Sequence, residues 1–192
     1  MRRVTTLLLV GIAAGGAAAI NLGGPVPSIA KEMTKMVGGA AMYPSKNIVQ
    51  NAVNSKDHTT LVAAVKAAGL VPTLESPGPF TVFAPTNEAF AKLPDGTVAG
   101  LLKPENKPTL IKILTYHVVA GRLTTGDLKK MVKAGGGKAE LKTVQGEPLT
   151  VEEQDGRLWL VDAKGDKAEI TISNVMQSNG VIQVINGVML PG

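Results

Sequence analysis

Residues 80–93 read FTVFAPTNEAFAKL, and this segment decides how the chain folds. Its three phenylalanines are the only ones among the 192 residues of the chain: Phe80, Phe83 and Phe90. The first five residues have the composition of a β-strand, which Pro85 ends because proline cannot donate to a sheet. Thr86 is then placed to cap a helix, and Glu88 lies in its first turn, where the helix dipole favours an acidic side chain.

The phenylalanines of this segment point in different directions. Successive side chains of a strand face opposite sides, so Phe80 and Val82 lie on one face and Phe83 on the other. Phe90 comes from the following helix. A ligand contact would also explain a cluster of aromatic residues, but this arrangement anchors both faces of the strand and the next helix. We therefore predict that the segment is the packing centre of the domain.

The spacing of apolar residues changes along the chain. Helical spacing is found over residues 47–55, 58–69, 87–93, 97–102, 108–116 and 125–132. Alternating or Val/Ile-rich runs, which are typical of strands, cover residues 139–144, 148–153, 157–162, 168–175 and 181–190. Asp57 is placed to cap the second helix and Gly69 to end it in a left-handed turn. Helices therefore dominate the first half and an antiparallel sheet the second, which predicts an α+β class.

Three motifs resemble the signatures of the fasciclin (FAS1) domain family. TVFAPTNEAF resembles the first signature box, ILTYHVV contains the family's Tyr-His pair as Tyr116-His117, and SNGVIQVINGVMLP resembles the second box. The motifs occur in the family's order, and the resemblance covers residues 47–192, about three quarters of the chain. It implies a wedge-shaped β-sandwich with a helical cluster packed against it. The chain looks most like the small secreted single-domain bacterial members.

The N-terminal residues have the pattern of a secretory signal. Arg2 and Arg3 precede an apolar run that ends in Ala17-Ala18-Ala19, which fits a signal-peptidase site. We expect residues 1–19 to be a signal peptide that is cleaved after Ala19. Residues 20–46 are expected to be a connector with a short helix, capped by Ser28 and closed by Gly38-Gly39. The fasciclin domain then occupies residues 47–192.

The composition limits the partners and the chemistry of the chain. Its net charge of +5 falls to +3 without Arg2 and Arg3, and no basic cluster with interleaved aromatics is present, so we expect no nucleic-acid partner. Cysteine is absent, which excludes disulfides and acylation at a cysteine. Only two histidines occur, His58 and His117, without the ligand set of a zinc site. We expect no metal, no cofactor, no stable membrane insertion of the cleaved chain, and a monomer.

Tyr116 and His117 are the candidate binding residues, because the resemblance implies a role of this pair in adhesion by animal members of the family. The residues alone favour a structural role, in which one ring fills the boundary between helix and sheet and the imidazole bonds to nearby backbone. A third interpretation makes Tyr116 or His117 the acid or base of an enzyme. The chain also departs from the common family pattern, with Asn174 and Asn186 at frequent Asp positions and Gln183 at a frequent His position.

Trp159 is the only tryptophan of the chain. Alternation along RLWLVD places it on the strand face opposite Leu158 and Leu160. If the two leucines face the core, the indole lies on the outer side, where it can stack on a sugar or a protein. If both faces of the sheet are buried, Trp159 is a core residue. The sequence leaves both possibilities open.

These features together predict a secreted or periplasmic, non-catalytic module for adhesion or binding. Its expected partner is an extracellular or envelope protein or polysaccharide. Two alternatives remain open from the sequence. One is a secreted hydrolase-like enzyme that uses Tyr116 or His117, and the other is a purely structural stress protein of the cell envelope.

Overall fold

The computed structural model of the protein describes residues 34–192. The expected signal peptide, its cleavage after Ala19 and the helix cap at Ser28 lie outside the described residues. Among the helices of residues 34–192, none has the length and apolar character needed to cross a membrane.

The described residues contain both helices and strands. The strands are β1 (Lys35–Val37), β2 (Ala40–Met42), β3 (Phe80–Pro85), β4 (Val118–Ala120), β5 (Lys138–Lys142), β6 (Pro148–Gln154), β7 (Arg157–Val161), β8 (Lys167–Gln177) and β9 (Gly180–Ile185). The helices are α1 (Ile48–Ala52), α2 (Thr59–Ala68), α3 (Val71–Glu75), α4 (Asn87–Ala91), α5 (Thr97–Leu101), α6 (Lys107–Tyr116) and α7 (Thr125–Ala134). Single 3-10 turns at Lys56–His58 and Pro104–Asn106 precede α2 and α6. The predicted α+β class is confirmed.

Strands β3 to β9 form one seven-stranded sheet in the order β4-β3-β9-β8-β7-β6-β5. Neighbouring strands run antiparallel except for β3 and β9, which pair in parallel. The two end strands also approach each other, since Val119 of β4 forms a bridge with Thr143 just after β5. The sheet therefore curves until its two edges meet. The parallel pair was not predicted, because the alternation of residues shows a strand but not its neighbour.

Two groups of buried apolar side chains lie on opposite faces of β3. The helical core packs the helices onto one face and includes Ile48, Leu61, Val65, Leu74, Val82, Ala84, Phe90, Leu114, Val175, Ile182 and Val184. The sheet core lies on the other face, inside the curved sheet, and includes Phe83, Tyr116, Leu128, Leu141, Leu149, Val151, Leu158, Leu160, Ile185 and Met189. The segment of the three phenylalanines therefore contributes to both cores, as its alternation predicts.

The start of α4 follows the sequence prediction, whereas the start of α2 does not. The Thr86 side chain accepts a hydrogen bond from the Ala89 amide at 3.2 Å and so caps α4. Asp57 was expected to cap α2, but it lies within the 3-10 turn. The amide of Thr60 instead donates to Asn87 Oδ1 at 3.0 Å, so a residue distant in sequence satisfies this helix end. Gly69 ends α2 with a φ of 75°, as predicted.

The prediction of a short helix before Gly38-Gly39 is wrong for residues 35–37, the part of it that the structure describes in a regular element. Residues Lys35–Val37 form β1, which pairs with β2 in an antiparallel hairpin. Gly38 and Gly39 have φ angles of 57° and 75°, the left-handed geometry that a two-residue hairpin turn requires at both central positions. Val37 and Met42 are buried in the helical core. The described part of the expected connector is therefore packed into the domain.

Truncation of Phe83 or Phe90 tests the role of this segment. Phe83 is fully buried in the sheet core and Phe90 is 7% exposed in the helical core. Because each deletion leaves a cavity that its neighbours cannot fill, Phe83→Ala or Phe90→Ala should each lower the free energy of unfolding by about 3–5 kcal/mol in urea titrations. Met36→Ala, at a side chain that is 62% exposed, is the control and should shift it by less than about 0.5 kcal/mol. Wild-type stability of both phenylalanine variants would contradict the assignment.

Candidate functional site

Tyr116 ends α6 and lies within the sheet core, with no exposed surface. Its hydroxyl group donates a hydrogen bond to the carbonyl oxygen of Pro148 at 2.9 Å. The bond ties the end of α6 to the start of β6. Burial, with a smaller contribution from the negative charge of Asp162, raises the pKa of the phenol. The phenol is therefore a neutral donor that holds two elements together.

His117 follows directly and is also buried, with 2% of its surface exposed. Its Nδ1 atom lies 2.8 Å from the carbonyl oxygen of Ile113, one turn earlier in α6. Its Nε2 atom lies 3.0 Å from the backbone nitrogen of Met189, whose N–H donates to it. This pattern assigns the proton to Nδ1 of a neutral imidazole, which accepts at Nε2. Burial lowers the pKa of His117 from 6.5 to about 4, against smaller opposing effects of the Ile113 carbonyl and Asp162.

Nε2 of His117 is one of several side-chain acceptors that bind backbone amides of the C-terminal segment. The amide of Leu190 donates to Asp162 Oδ2 at 2.8 Å, and the amide of Gly192 donates to Glu147 Oε2 at the same distance. Glu147 also forms an ion pair with Lys112 of α6 at 3.3 Å. The C-terminal segment, residues 186–192, is thus fastened across the end of α6 and the β5–β6 connection.

The Tyr-His pair is therefore built into the interior of the domain. The polar atoms of both rings are hydrogen-bonded to backbone groups, and both rings are buried. Direct contact of Tyr116 or His117 with a partner stays an untested prediction. His117 also lines the apolar cavity of the helical core described below, but both of its ring nitrogens are already engaged by backbone groups.

The residues that depart from the common family pattern also have internal partners. Asn174 accepts a hydrogen bond from the Thr125 amide at 2.8 Å and donates to the Thr125 hydroxyl at 2.8 Å. Gln183 is fully buried on β9, accepts from the Asn174 amide and donates to the Leu123 carbonyl. Asn186 pairs with the backbone of Glu169. These side chains position the start of α7 and the end of β9.

Trp159 lies on the outer face of the sheet, which we define as the face of β6 to β8 opposite the sheet core. Leu158 and Leu160 point inward and are 4% and 0% exposed, whereas Trp159 keeps part of its surface exposed, which decides the question that the sequence left open. The indole is partly buried and lies between two cross-strand neighbours, Glu152 on β6 and Glu169 on β8. The carboxylates are held in turn by three ion pairs: Lys138–Glu152 at 2.7 Å, Lys167–Glu152 at 2.9 Å and Arg157–Glu169 at 3.1 Å.

Sequence reasoning missed an apolar cavity in the helical core. Its walls come from helices α1, α2, α3 and α6, from the β1–β2 hairpin and from β3, β8 and β9. His58 is part of the lining, although the sequence marked it only as one of two histidines. No local signal could have shown the cavity, because its walls are assembled from segments that are far apart in the chain.

The pH dependence of stability tests the role of His117. The unfolded imidazole has a pKa near 6.5 and the folded one near 4, so the unfolded state binds more protons between these values. Stability should therefore fall as the pH drops from about 7 to 4, by up to about 3 kcal/mol from this residue. In urea titrations His117→Gln should remove that part of the dependence and leave a smaller slope from His58, whose pKa burial also lowers. Identical pH profiles for the variant and the wild type would contradict this account.

Comparison with known proteins places the chain in a family. The fasciclin domain family matches residues 56–191. The Synechocystis protein sll1483 is 45% identical over 174 residues, which cover 88% of this chain and 89% of that protein. The immunogenic protein MPB70 of Mycobacterium bovis is 32% identical over 211 aligned residues, covering 100% and 99%.

A solved structure shows the same fold. It is the FAS1 domain pair of the insect cell adhesion molecule fasciclin I, with a TM-score of 0.68 at 21% identity, over 77% of this chain and 52% of that one. The FAS1 fold that the signature motifs imply is thereby confirmed. From the family match and the relatives of similar length, the chain belongs to the fasciclin (FAS1) domain family.

Proposed function

We propose that the protein is a non-catalytic fasciclin module that acts outside the cytoplasm, where it binds an envelope or extracellular protein or polysaccharide. The observation that carries the proposal is the position of Trp159 on the outer face of a sheet whose other face is fully packed. The signal-like N-terminus supports export. The solved fasciclin I structure comes from a cell adhesion molecule, which supports a binding role for the fold.

The outer face is suited to binding because the inward side chains of its strands are packed in the sheet core. Leu158 and Leu160 fix β7 against the sheet core, so the indole between them is presented by a rigid strand rather than by a loop. A tryptophan loses little side-chain entropy on binding and offers a large apolar surface, which is why it is frequent among residues that dominate binding energies. The same indole face can stack on a sugar ring.

The charges around Trp159 form a mixed rim. Glu152 is engaged by lysines from two strands, and Glu169 by Arg157. Such exposed pairs contribute little to stability, but they leave the rim close to neutral and rich in donors and acceptors. A polar rim around a central aromatic residue is the usual composition of a binding patch on a protein surface. We infer that the partner contacts the indole and hydrogen-bonds to this rim.

The enzyme alternative receives no support from the arrangement of the candidate acid and base. An acid/base residue has to come within hydrogen-bond distance of the substrate, directly or through a water molecule. Tyr116 and His117 are both buried, and their polar atoms are engaged by Pro148, Ile113 and Met189. The alternative of a purely structural envelope protein predicts that the domain captures no partner at all.

Capture experiments with Trp159→Ala test the proposal. The tagged, exported chain is incubated with envelope and extracellular fractions of the producing cells, and the retained protein and polysaccharide are quantified. Since truncation of a central aromatic residue commonly costs about 2 kcal/mol or more, capture by Trp159→Ala should fall at least about tenfold. Val53→Ala removes another exposed apolar side chain, 47% exposed beside α1, and should capture like the wild type.

Two results would contradict the proposal. Equal capture by Trp159→Ala and the wild type would exclude the outer face as the binding surface. An absence of specific capture by the wild-type chain would favour the purely structural alternative. Circular dichroism of each variant shows that a loss of capture is not a loss of fold.

A further inference from the structure

The helical core contains a cavity with almost purely apolar walls. Its volume is about 70 Å³, and residues such as Val65, Leu74, Phe80 and Ile182 line it. Lys66 and Thr73 also line it and are exposed, so the cavity extends from the interior to the surface between α2 and α3. It is separate from the outer face around Trp159.

One polar side chain in the cavity lining has an unsatisfied atom. His58 is 3% exposed, and its Nδ1 atom lies 2.8 Å from the Ser55 hydroxyl oxygen. Its Nε2 atom is buried and has no hydrogen-bond partner within residues 34–192. His58 is part of the cavity lining, whereas its partner Ser55 is not. A buried polar atom without a partner is costly, so each such atom in a folded protein requires an explanation.

The partners of His58 determine what Nε2 can offer. Burial is the largest effect on the imidazole and lowers its pKa, so the ring is neutral at pH 7. The Ser55 hydroxyl forms a hydrogen bond with Nδ1 of His58. We assign the hydroxyl as the donor in this bond, because its proton then has an acceptor. The single proton of the neutral ring then resides on Nε2. The Ala84 backbone opposes the fall of the pKa, but no group meets the geometry of a hydrogen bond to Nε2 within the described residues. Nε2 is therefore an N–H donor at the cavity wall.

We propose that this cavity binds a small apolar molecule with one carbonyl oxygen, which accepts a hydrogen bond from Nε2–H of His58. The walls match the hydrocarbon part of such a molecule, and the single donor matches its single acceptor. A water molecule fits less well, because it needs two to four polar partners and apolar cavities of proteins stay dry. A carboxylate fits less well too, since burial of its charge beside a neutral ring is unfavourable.

The volume sets the size of the ligand. An engineered cavity of about 150 Å³ binds benzene, so a cavity of about 70 Å³ encloses fewer heavy atoms than benzene has. The cavity therefore encloses only the carbonyl end of a short unbranched chain, at His58, and the rest of the chain extends through the opening at Lys66 and Thr73. Short-chain ketones, aldehydes and esters are the chemical classes that have this shape.

Titration of the protein with 2-pentanone tests the proposal. Backbone amide and His58 ring signals are followed by NMR, with n-pentane as the matched ligand that lacks the oxygen. The account predicts saturable shifts confined to His58 and the lining residues, a downfield shift of the Nε2 proton, and affinity for 2-pentanone about tenfold above that for n-pentane. His58→Phe keeps an aromatic ring without the donor and should reduce the preference to less than about twofold.

A second variant keeps the test valid if His58→Phe does not fold. Val62 lines the cavity but is only partly buried, so Val62→Phe should fill the space without disrupting the core, and should abolish binding of both ligands. Equal affinities of the wild type for 2-pentanone and n-pentane would overturn the proposal. Shifts that do not saturate, or that spread over the surface, would also overturn it. So would a His58 ring signal which shows, before any ligand is added, that Nε2–H is hydrogen-bonded to the Ala84 carbonyl.

Discussion

The parallel pairing of β3 with β9 is the interaction on which the rest of the structure depends. The two strands match from Phe80 with Gly180 to Pro85 with Ile185. A side chain at position 180 would collide with the carbonyl oxygen of Phe80, so glycine allows the strands to begin this contact. The pair lies between both cores, because alternate residues of each strand point to the helical core and to the sheet core. Neither core is complete without it.

The Tyr-His pair extends this central element to the chain end. The backbone carbonyl of His117 accepts a hydrogen bond from Phe83 at 2.9 Å, while its imidazole accepts one from Met189. Tyr116 reaches β6 through Pro148. One dipeptide therefore connects β3, the sheet core and the C-terminal segment. The pair therefore has a structural role in the domain, whereas the proposed binding surface lies around Trp159.

The sequence predicted the parts of the fold that depend on neighbouring residues. The alternation in FTVFA, the cap at Thr86 and the left-handed turn at Gly69 are local features, and all three are present in the structure. The pairing of β3 with β9 joins residues about one hundred positions apart, and periodicity contains no information about it. The β1–β2 hairpin was missed because the spacing of Met33, Met36 and Val37 also fits a helix, while Gly38-Gly39 fits the end of a helix and a hairpin turn alike. The face occupied by Trp159 was predicted correctly only as one of two alternatives, because burial of the second face depends on tertiary packing.

The candidate binding positions were harder to predict than the fold. Trp159 was identifiable as a single unusual residue, whereas the cavity at His58 is lined by segments that begin at Val37 and end at Ile182. Native-state hydrogen exchange of the backbone amides in β3 and β9 tests most directly whether both cores depend on this strand pair. We expect these amides to exchange only on global unfolding, and the amides of both cores to lose protection in the same cooperative step. Exchange of β3 and β9 at a lower free energy than the β5–β7 strands, with the sheet core still protected, would contradict this dependence.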